Sequence, residues 1–574
     1  MGANKMKTSF SIARGVAAPI VALLLGTAVH AAVPGISGPA GGIGTTATFN
    51  LDASTGFINQ PDGTQVYMWG YGCTTGSAVG SASGTKPSAI GTVPCPTMQI
   101  PGPTLIVNEG QTVVINLTNS LPAAAGRTSI LFPGFVVTST GGAQGLLTQE
   151  ACPTGGCPAT ATTPAVTTNT VSYTFVANSP GTRAYYSGTQ GDLQVEMGLY
   201  GAIVVLPAGS TAVTAACGTL TSGGLPATNP GGNRAAKAHW VEPDFRLAAA
   251  AFDSAKTCYD REYLFQWAEM DPRIHSSALA QVTANAAVLN VPTEPYHPAY
   301  FIINGRSMPD LMDPNFAAEY PNQPYNANPH VHPGEMMLIR TIGQGRWQHP
   351  FHEHANHVRV LARDGNMQLA PNGSDLAGLL MFDTDTTPGE AFDGIFYFTG
   401  RGLNWDMFGH HPGDTFDTNA SLGCAPDANG YNTGAPTAIN YFEWCQDHNK
   451  PVEVNPIGDV AAGGPATLPN PNIFTNGAWY GGTPYFGPDA SLRAGGTQAC
   501  LKENAGATTI NAANSGCTPL QPANTQANPQ NERGWAFMWH SHNEREITTN
   551  NVFPGGMLMM MLVDSREFVI DETK

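Results

Sequence analysis

Apolar and polar positions along this chain change over in short steps. Residues 105–117 turn to strict alternation in their second half, the period of a half-buried strand. Gly198-Leu199-Tyr200-Gly201-Ala202-Ile203-Val204-Val205 is apolar almost throughout and predicts a buried closing strand. The pattern returns further on: Tyr263-Leu264-Phe265-Gln266-Trp267, Tyr300-Phe301-Ile302-Ile303-Asn304-Gly305, Gly334-Glu335-Met336-Met337-Leu338-Ile339-Arg340, and a tail strand from Met557 to Val563 after Gly555-Gly556. Glycine, proline and asparagine punctuate these runs. Two units share one order: a turn, a strand, a polar turn, a motif strand, and an apolar strand after a glycine-marked turn. That is a weak internal repeat. The predicted fold is all-β, two β-sandwiches with Greek-key connections.

The boundaries read as a leader at 32–45, mobile and rich in Gly, Pro and Ala, a first unit at 46–207, and a linker at 208–235. A second unit follows at 236–403. An insert at 404–532 interrupts it, a closing part spans 533–565, and a tail ends the chain at 566–574. The insert is too long for a plain loop in a compact domain. A lid, an extra lobe and a partner surface all stay open for it.

Composition narrows the class. Of 574 residues only 12% are charged, while Gly (66) and Pro (46) are abundant, as in turn-rich β proteins. The net charge of −17 argues against nucleic acid or an anionic membrane as partner. Residues 1–31 read as a signal peptide: Lys5, Lys7 and Arg14 are basic, 15–29 is apolar and small, and Val29-His30-Ala31 fits cleavage after Ala31. No later stretch is long and apolar enough to span a membrane. The expected location is the periplasm, or the extracellular space or cell surface. Ten cysteines then fall into close sequential pairs, Cys73/Cys95, Cys152/Cys157, Cys217/Cys258, Cys424/Cys445 and Cys500/Cys517, read as disulfides in an oxidising compartment. Two of the pairs staple the insert.

The chemistry sits in histidines. His349-Pro350-Phe351-His352-Glu353-His354 lies far upstream of Trp539-His540-Ser541-His542. Residues i and i+2 share a strand face, so two His-x-His steps on neighbouring strands aim four imidazoles at one point. Glu544 and Glu546 continue the spacing. On a continuing strand they share the face of His540 and His542; on a helix, His542 and Glu546 become i, i+4 neighbours.

Four motifs together resemble the multicopper oxidases: Pro101-Gly102-Pro103-Thr104, Gly198-Leu199-Tyr200-Gly201, the 349–354 motif, and His540/His542 followed by Gly555-Gly556-Met557. The layout is similar to two-domain laccases. The resemblance implies two cupredoxin-like Greek-key domains and copper. Position by position it makes His352 with His354, and His540 with His542, two cluster pairs, and His349 a type 1 ligand. Elsewhere the pattern is broken. No histidine stands near Leu131-Phe132-Pro133-Gly134 or Tyr186-Ser187-Gly188, where two more pairs belong. Ser541 replaces the type 1 cysteine, and Glu546 stands where the second type 1 histidine belongs. A blue-copper centre depends on its thiolate, so these sites are degenerate.

The expected centre is therefore a reduced one. Its metal ligands are His349, His352, His354, His540 and His542, and Glu544 or Glu546 is a supplementary ligand or catalytic base. Copper is the metal by resemblance, with manganese or iron open on ligand grounds. Its reductant is a small molecule or a metal ion. Three function classes stay in play: an oxidoreductase, a hydrolase using metal-bound water, and a non-catalytic metal-binding or structural protein. The resemblance implies a homo-oligomer, although a missing first-unit ligand set removes one reason for it. Weaker features read as structure. His330 and His332, in Asn328-Pro329-His330-Val331-His332-Pro333, suit a surface loop, His357 suits packing, and Met557, Met559, Met560 and Met561 suit core filling. His410-His411 is open between reaching the site and exposure. Tyr186 and Phe132 suit filling of space where ligands are absent.

Overall fold

The protein is described from a computed structural model that covers residues 33–38, 43–74, 84–88, 91–208, 249–332, 334–398 and 534–564, with short pieces at 425–428, 430–432, 445 and 483–485. The expected signal peptide and linker, and most of the expected insert, lie outside the described residues.

The fold is all-β, two cupredoxin-like sandwiches. In the first, Thr46–Asn59 alternates as its sequence does: Ala47, Phe49, Leu51 and Ala53 go inward and their neighbours outward. It pairs with Gln65–Cys73 and, in parallel, with Thr112–Asn119, where Val113, Ile115 and Leu117 are the inward set. These belong to a five-stranded sheet. The facing four-stranded sheet runs through Leu105–Asn108 and Tyr200–Leu206 to Gly181–Tyr186. Trp69, Tyr71, Tyr173 and Tyr185 fill the space between.

The 32–45 leader departs from expectation. Ile36–Ser37 pairs in parallel with Leu105 and Ile106, and Val33 and Ile36 are buried. Two apolar side chains and an edge of unpaired backbone on Leu105–Asn108 hold it, where composition alone suggested mobility.

The second sandwich has a seven-stranded sheet containing Arg261–Met270, Met336–Gly343, Ala391–Tyr397 and Val358–Arg363. A six-stranded sheet faces it, with Pro350–Glu353, Gly534–Ser541 and Leu558–Asp564 side by side. Phe265, Trp267, Phe351, Trp539, Met557, Met559 and Met561 share its core, so these three methionines are packing residues, whereas Met560, expected to fill the core with them, alternates to the other face and is half-buried. From the insert, Thr483–Tyr485 adds a strand beside Gly534–Ala536. The pair His330 and His332 is not a surface loop. Both side chains are buried, and His330–Val331 pairs in parallel with Leu562 and Val563.

The helix Pro272–Thr283 packs on the first unit, with Ile274 and Ala278 in that unit's core. Asp271 caps it by accepting from Arg273 N–H, and Pro272 supplies its first turn. A buried polar layer ties the sandwiches: Arg340 bonds Glu262 at 2.9 Å and Asp393 at 3.1 Å, and Asp393 accepts from Thr182 of the first unit. Disulfides Cys73–Cys95 and Cys152–Cys157 form as paired in the sequence. Cys258 and Cys445 are disulfide-bonded too, and the partners expected for them, Cys217 and Cys424, lie outside the described residues. Cys500 and Cys517 also lie outside them.

Candidate metal centre

Register decides where the histidines go. Pro350–Glu353 runs antiparallel to Gly534–Ser541 with Phe351 opposite Ser541, His352 opposite His540 and Glu353 opposite Trp539. Phe351, Glu353, Trp539 and Ser541 fall on the core face and are buried. His352 and His540 fall on the other face, half-buried. Ala355, at φ 83°, turns the chain just beyond His354. The carbonyl of His354 accepts from Trp539 Nε1 at 3.0 Å.

Four imidazoles then gather. Ring centroids lie 4.8 Å apart for His352 and His354, 5.4 Å for His352 and His540, 5.2 Å for His354 and His540, and 4.8 Å for His352 and His542. His354 Nε2 and His540 Nε2 are 3.2 Å apart. One nitrogen from each of His352, His354 and His540 lies within 4.8 Å of the others. Two metal–nitrogen bonds of about 2.0–2.1 Å at a tetrahedral angle separate their nitrogens by about 3.3 Å, so the 3.2 Å between His354 and His540 fits a shared ion. Burial, then repulsion from His540 and His542, pushes His352 down to about 4. Burial lowers His540 as well. Both rings are thus held in the neutral form that metals require.

His349 goes elsewhere. It is fully buried, with Nδ1 2.8 Å from Glu546 Oε2 and Nε2 2.9 Å from Glu269 Oε2. Glu546 also accepts from Ser541 Oγ and, at 3.0 Å, from Asn543 Nδ2. Glu269 accepts from Arg346 N at 2.7 Å, Trp347 N at 2.8 Å and Tyr296 Oη at 3.2 Å. Gly345, at φ +72°, makes room for this carboxylate: a Cβ there would meet Glu269 Oε2 at 2.5 Å. Burial alone would lower the His349 pKa, but hydrogen bonds to Glu269 and Glu546 raise it to about 9. The ring is an imidazolium donating from both nitrogens, with no lone pair for a metal.

This corrects three expectations. His349 does not join the other four histidines. The chain after Ser541 is neither strand nor helix but a turn, which aims Glu546 back at His349. Glu544 is exposed in the same turn. The three positions that resemblance assigned to type 1 copper do meet, since Ser541, Glu546 and His349 are in contact. Without a thiolate, and with both ring nitrogens committed, they do not fit that copper.

The first unit offers no imidazole. Leu131 and Tyr186 pair with each other, Phe132 packs on Phe175 and Tyr185, and Tyr186 is half-buried. No histidine occurs between His30 and His239. His357 packs on Phe382, as expected. His410 and His411 lie outside the described residues. Sequence reasoning missed Asp383, which stands directly opposite His352. No motif marks it; only strand pairing brings it there.

Residues 92–210 match the family model described as multicopper oxidase. That stretch is similar to a multicopper oxidase domain. No curated protein matches this multicopper-oxidase-like chain. Among solved structures it is similar to the multicopper oxidase mgLAC, at 12% identity over 92% of this chain and 88% of that one, with a TM-score of 0.40. It is similar to a blue copper oxidase from Nitrosomonas europaea at 13% identity, over 90% and 85%, with a TM-score of 0.39. A copper nitrite reductase from the same organism matches at 16% over 62% and 85%, with a TM-score of 0.34. The matched segment itself holds no histidine, so all candidate ligands of this multicopper-oxidase-like chain lie outside it.

Proposed function

We propose that this chain is an exported metalloprotein of the multicopper oxidase type, with an oxidoreductase centre formed by His352, His354, His540 and His542 and no type 1 copper. The observation that carries the reading is the cross-strand register of the two His-x-His steps, with two ring nitrogens 3.2 Å apart. Bound copper would supply one-electron exchange with a small-molecule or metal-ion reductant or with oxygen. The chain's own part is to hold four rings on one face, two of them neutral through burial, and to keep His542 at the exposed edge. With no thiolate relay, a reductant must reach the histidines directly. The catalytic role expected for Glu546 is not supported, because its carboxylate is committed to His349, Ser541 and Asn543.

A second reading, a non-catalytic metal-binding protein on the same scaffold, is favoured by the first unit's lack of histidine and by the closed type 1 pocket. Metal analysis of the exported protein beside a His352→Ala/His540→Ala variant tests the centre. Stoichiometric metal that the variant loses, with a paramagnetic resonance spectrum lacking a copper–thiolate signature, supports it. No metal after loading with copper, manganese or iron sinks it. Oxygen consumption with phenols, Fe(II) or Mn(II) separates the oxidoreductase from the second reading.

A further inference from the structure

The histidine face has a fifth member. Asp383, on the strand Asp383–Asp385, lies directly opposite His352, and His352 lies directly opposite His540. The three residues form one row across three adjacent antiparallel strands. Opposed side chains in such pairs share a face, with Cβ atoms about 4.5–5.5 Å apart. His354 and His542, two positions along from His352 and His540, share that face or its edge.

The carboxylate of Asp383 is unusual. Its Oδ1 is shut off from solvent and has no hydrogen-bond partner. A buried acceptor left in this state is costly and calls for an unseen partner. Glu544 and Glu546, the carboxylates that sequence spacing suggested, are exposed and bound to His349 respectively. Asp383 is thus the carboxylate that the strand pairing puts in the imidazole row.

We infer that Asp383 is a direct ligand of the histidine centre, making it a mixed nitrogen-and-oxygen site for a hard divalent cation. The inference rests on the metal centre proposed above and deepens it. A soft cuprous ion gains little from a carboxylate, whereas manganese(II), iron(II) and zinc(II) gain much. An added negative charge beside neutral imidazoles also favours a doubly charged ion over a singly charged one.

The test titrates the mature full chain, stripped of metal, with manganese(II), zinc(II) and cuprous ion in separate competitions against chromophoric chelators. Asp383→Asn is expected to weaken manganese(II) and zinc(II) by more than about 10-fold and cuprous ion by less than about 3-fold, since even outer-sphere partners shift affinity ~10–100-fold. Asp383→Glu keeps a carboxylate and is expected to recover part of the loss, which keeps the test decisive should the asparagine variant fold poorly. Asp385→Asn removes the same charge from an exposed position on the same strand and is expected to leave all three affinities within about two-fold. Equal weakening of all three ions by Asp383→Asn, or none, overturns Asp383 as a ligand. The histidine centre survives that result if His540→Ala abolishes binding. A wild-type chain that binds no ion overturns both.

Discussion

His349 and His352 are three residues apart, yet they occupy opposite kinds of site. His349 points into the core between Glu269 and Glu546, with both ring nitrogens donating. His352 points out of the other face of the sheet among three further imidazoles. The motif is common to both, and the surroundings differ. Two carboxylates turn the first ring into a charged keystone, raised to about 9. Burial and neighbouring imidazoles keep the second neutral, near 4. A histidine's role follows from the charge and lone pairs that face it, which a motif does not specify.

The sharpest way to break this contrast is to remove each ring. His349→Ala leaves Glu269 and Glu546 buried without a counter-charge and is expected to cost about 3–5 kcal/mol of stability, read from denaturant unfolding of the metal-free chain. His352→Ala in the same assay is expected to cost less than about 1 kcal/mol, because a half-buried neutral ring leaves no charge behind. Equal losses would erase the distinction between keystone and ligand.

Metal affinity should invert that order. His540→Ala is expected to weaken zinc(II) or copper(II) binding by at least about 100-fold, the upper end of what outer-sphere changes alone produce. A folded, conservatively altered keystone, His349→Gln, should bind metal with near wild-type affinity. If the His349 variant lost metal while the His540 variant kept it, the assignment of the two sites would be reversed.

The keystone also predicts a pH dependence. Its folded-state pKa is raised from the ordinary 6.5 to about 9, so its stabilisation is complete below about 6.5 and is lost as pH rises through about 9. A shift of that size corresponds to roughly 3 kcal/mol. The melting temperature of the metal-free chain should therefore fall between these pH values, and His349→Gln should flatten the fall. A slope that persists unchanged in the variant assigns it to other groups.

The smallest effect sharpens the edge of the site. Glu544 is exposed in the turn beyond His542, so Glu544→Gln is expected to change metal affinity by no more than about two-fold, as for other screened surface charges. A larger loss would return Glu544 to the ligand set.

Much of this was legible from the chain. Alternation in 105–117 and the apolar run ending at Val205 mark strands that the fold contains, and the close cysteine pairs Cys73/Cys95 and Cys152/Cys157 bond as spaced. Composition failed for the leader, where Val33 and Ile36 are buried, because an unpaired strand edge outweighs local mobility. Proline punctuation failed for His330, because a two-residue parallel pairing is too short to leave a pattern. The Asp-Pro start of the helix Pro272–Thr283 was a readable cap signal, lost among β runs.

By itself the sequence determined the all-β class, the two His-x-His steps, the loss of the thiolate at Ser541, and the absence of histidine from the first unit. Each is a matter of residue identity or of period two along a strand, and both are local. Only the tertiary structure decided that His349 leaves the metal set, that Glu546 turns inward, and that Asp383 enters the row. Those outcomes depend on which strand lies beside which, and in what register. Glu269 and His349 are 80 residues apart, and His349 and Glu546 are 197 apart. No local pattern fixes a pairing over such distances; sandwich packing does.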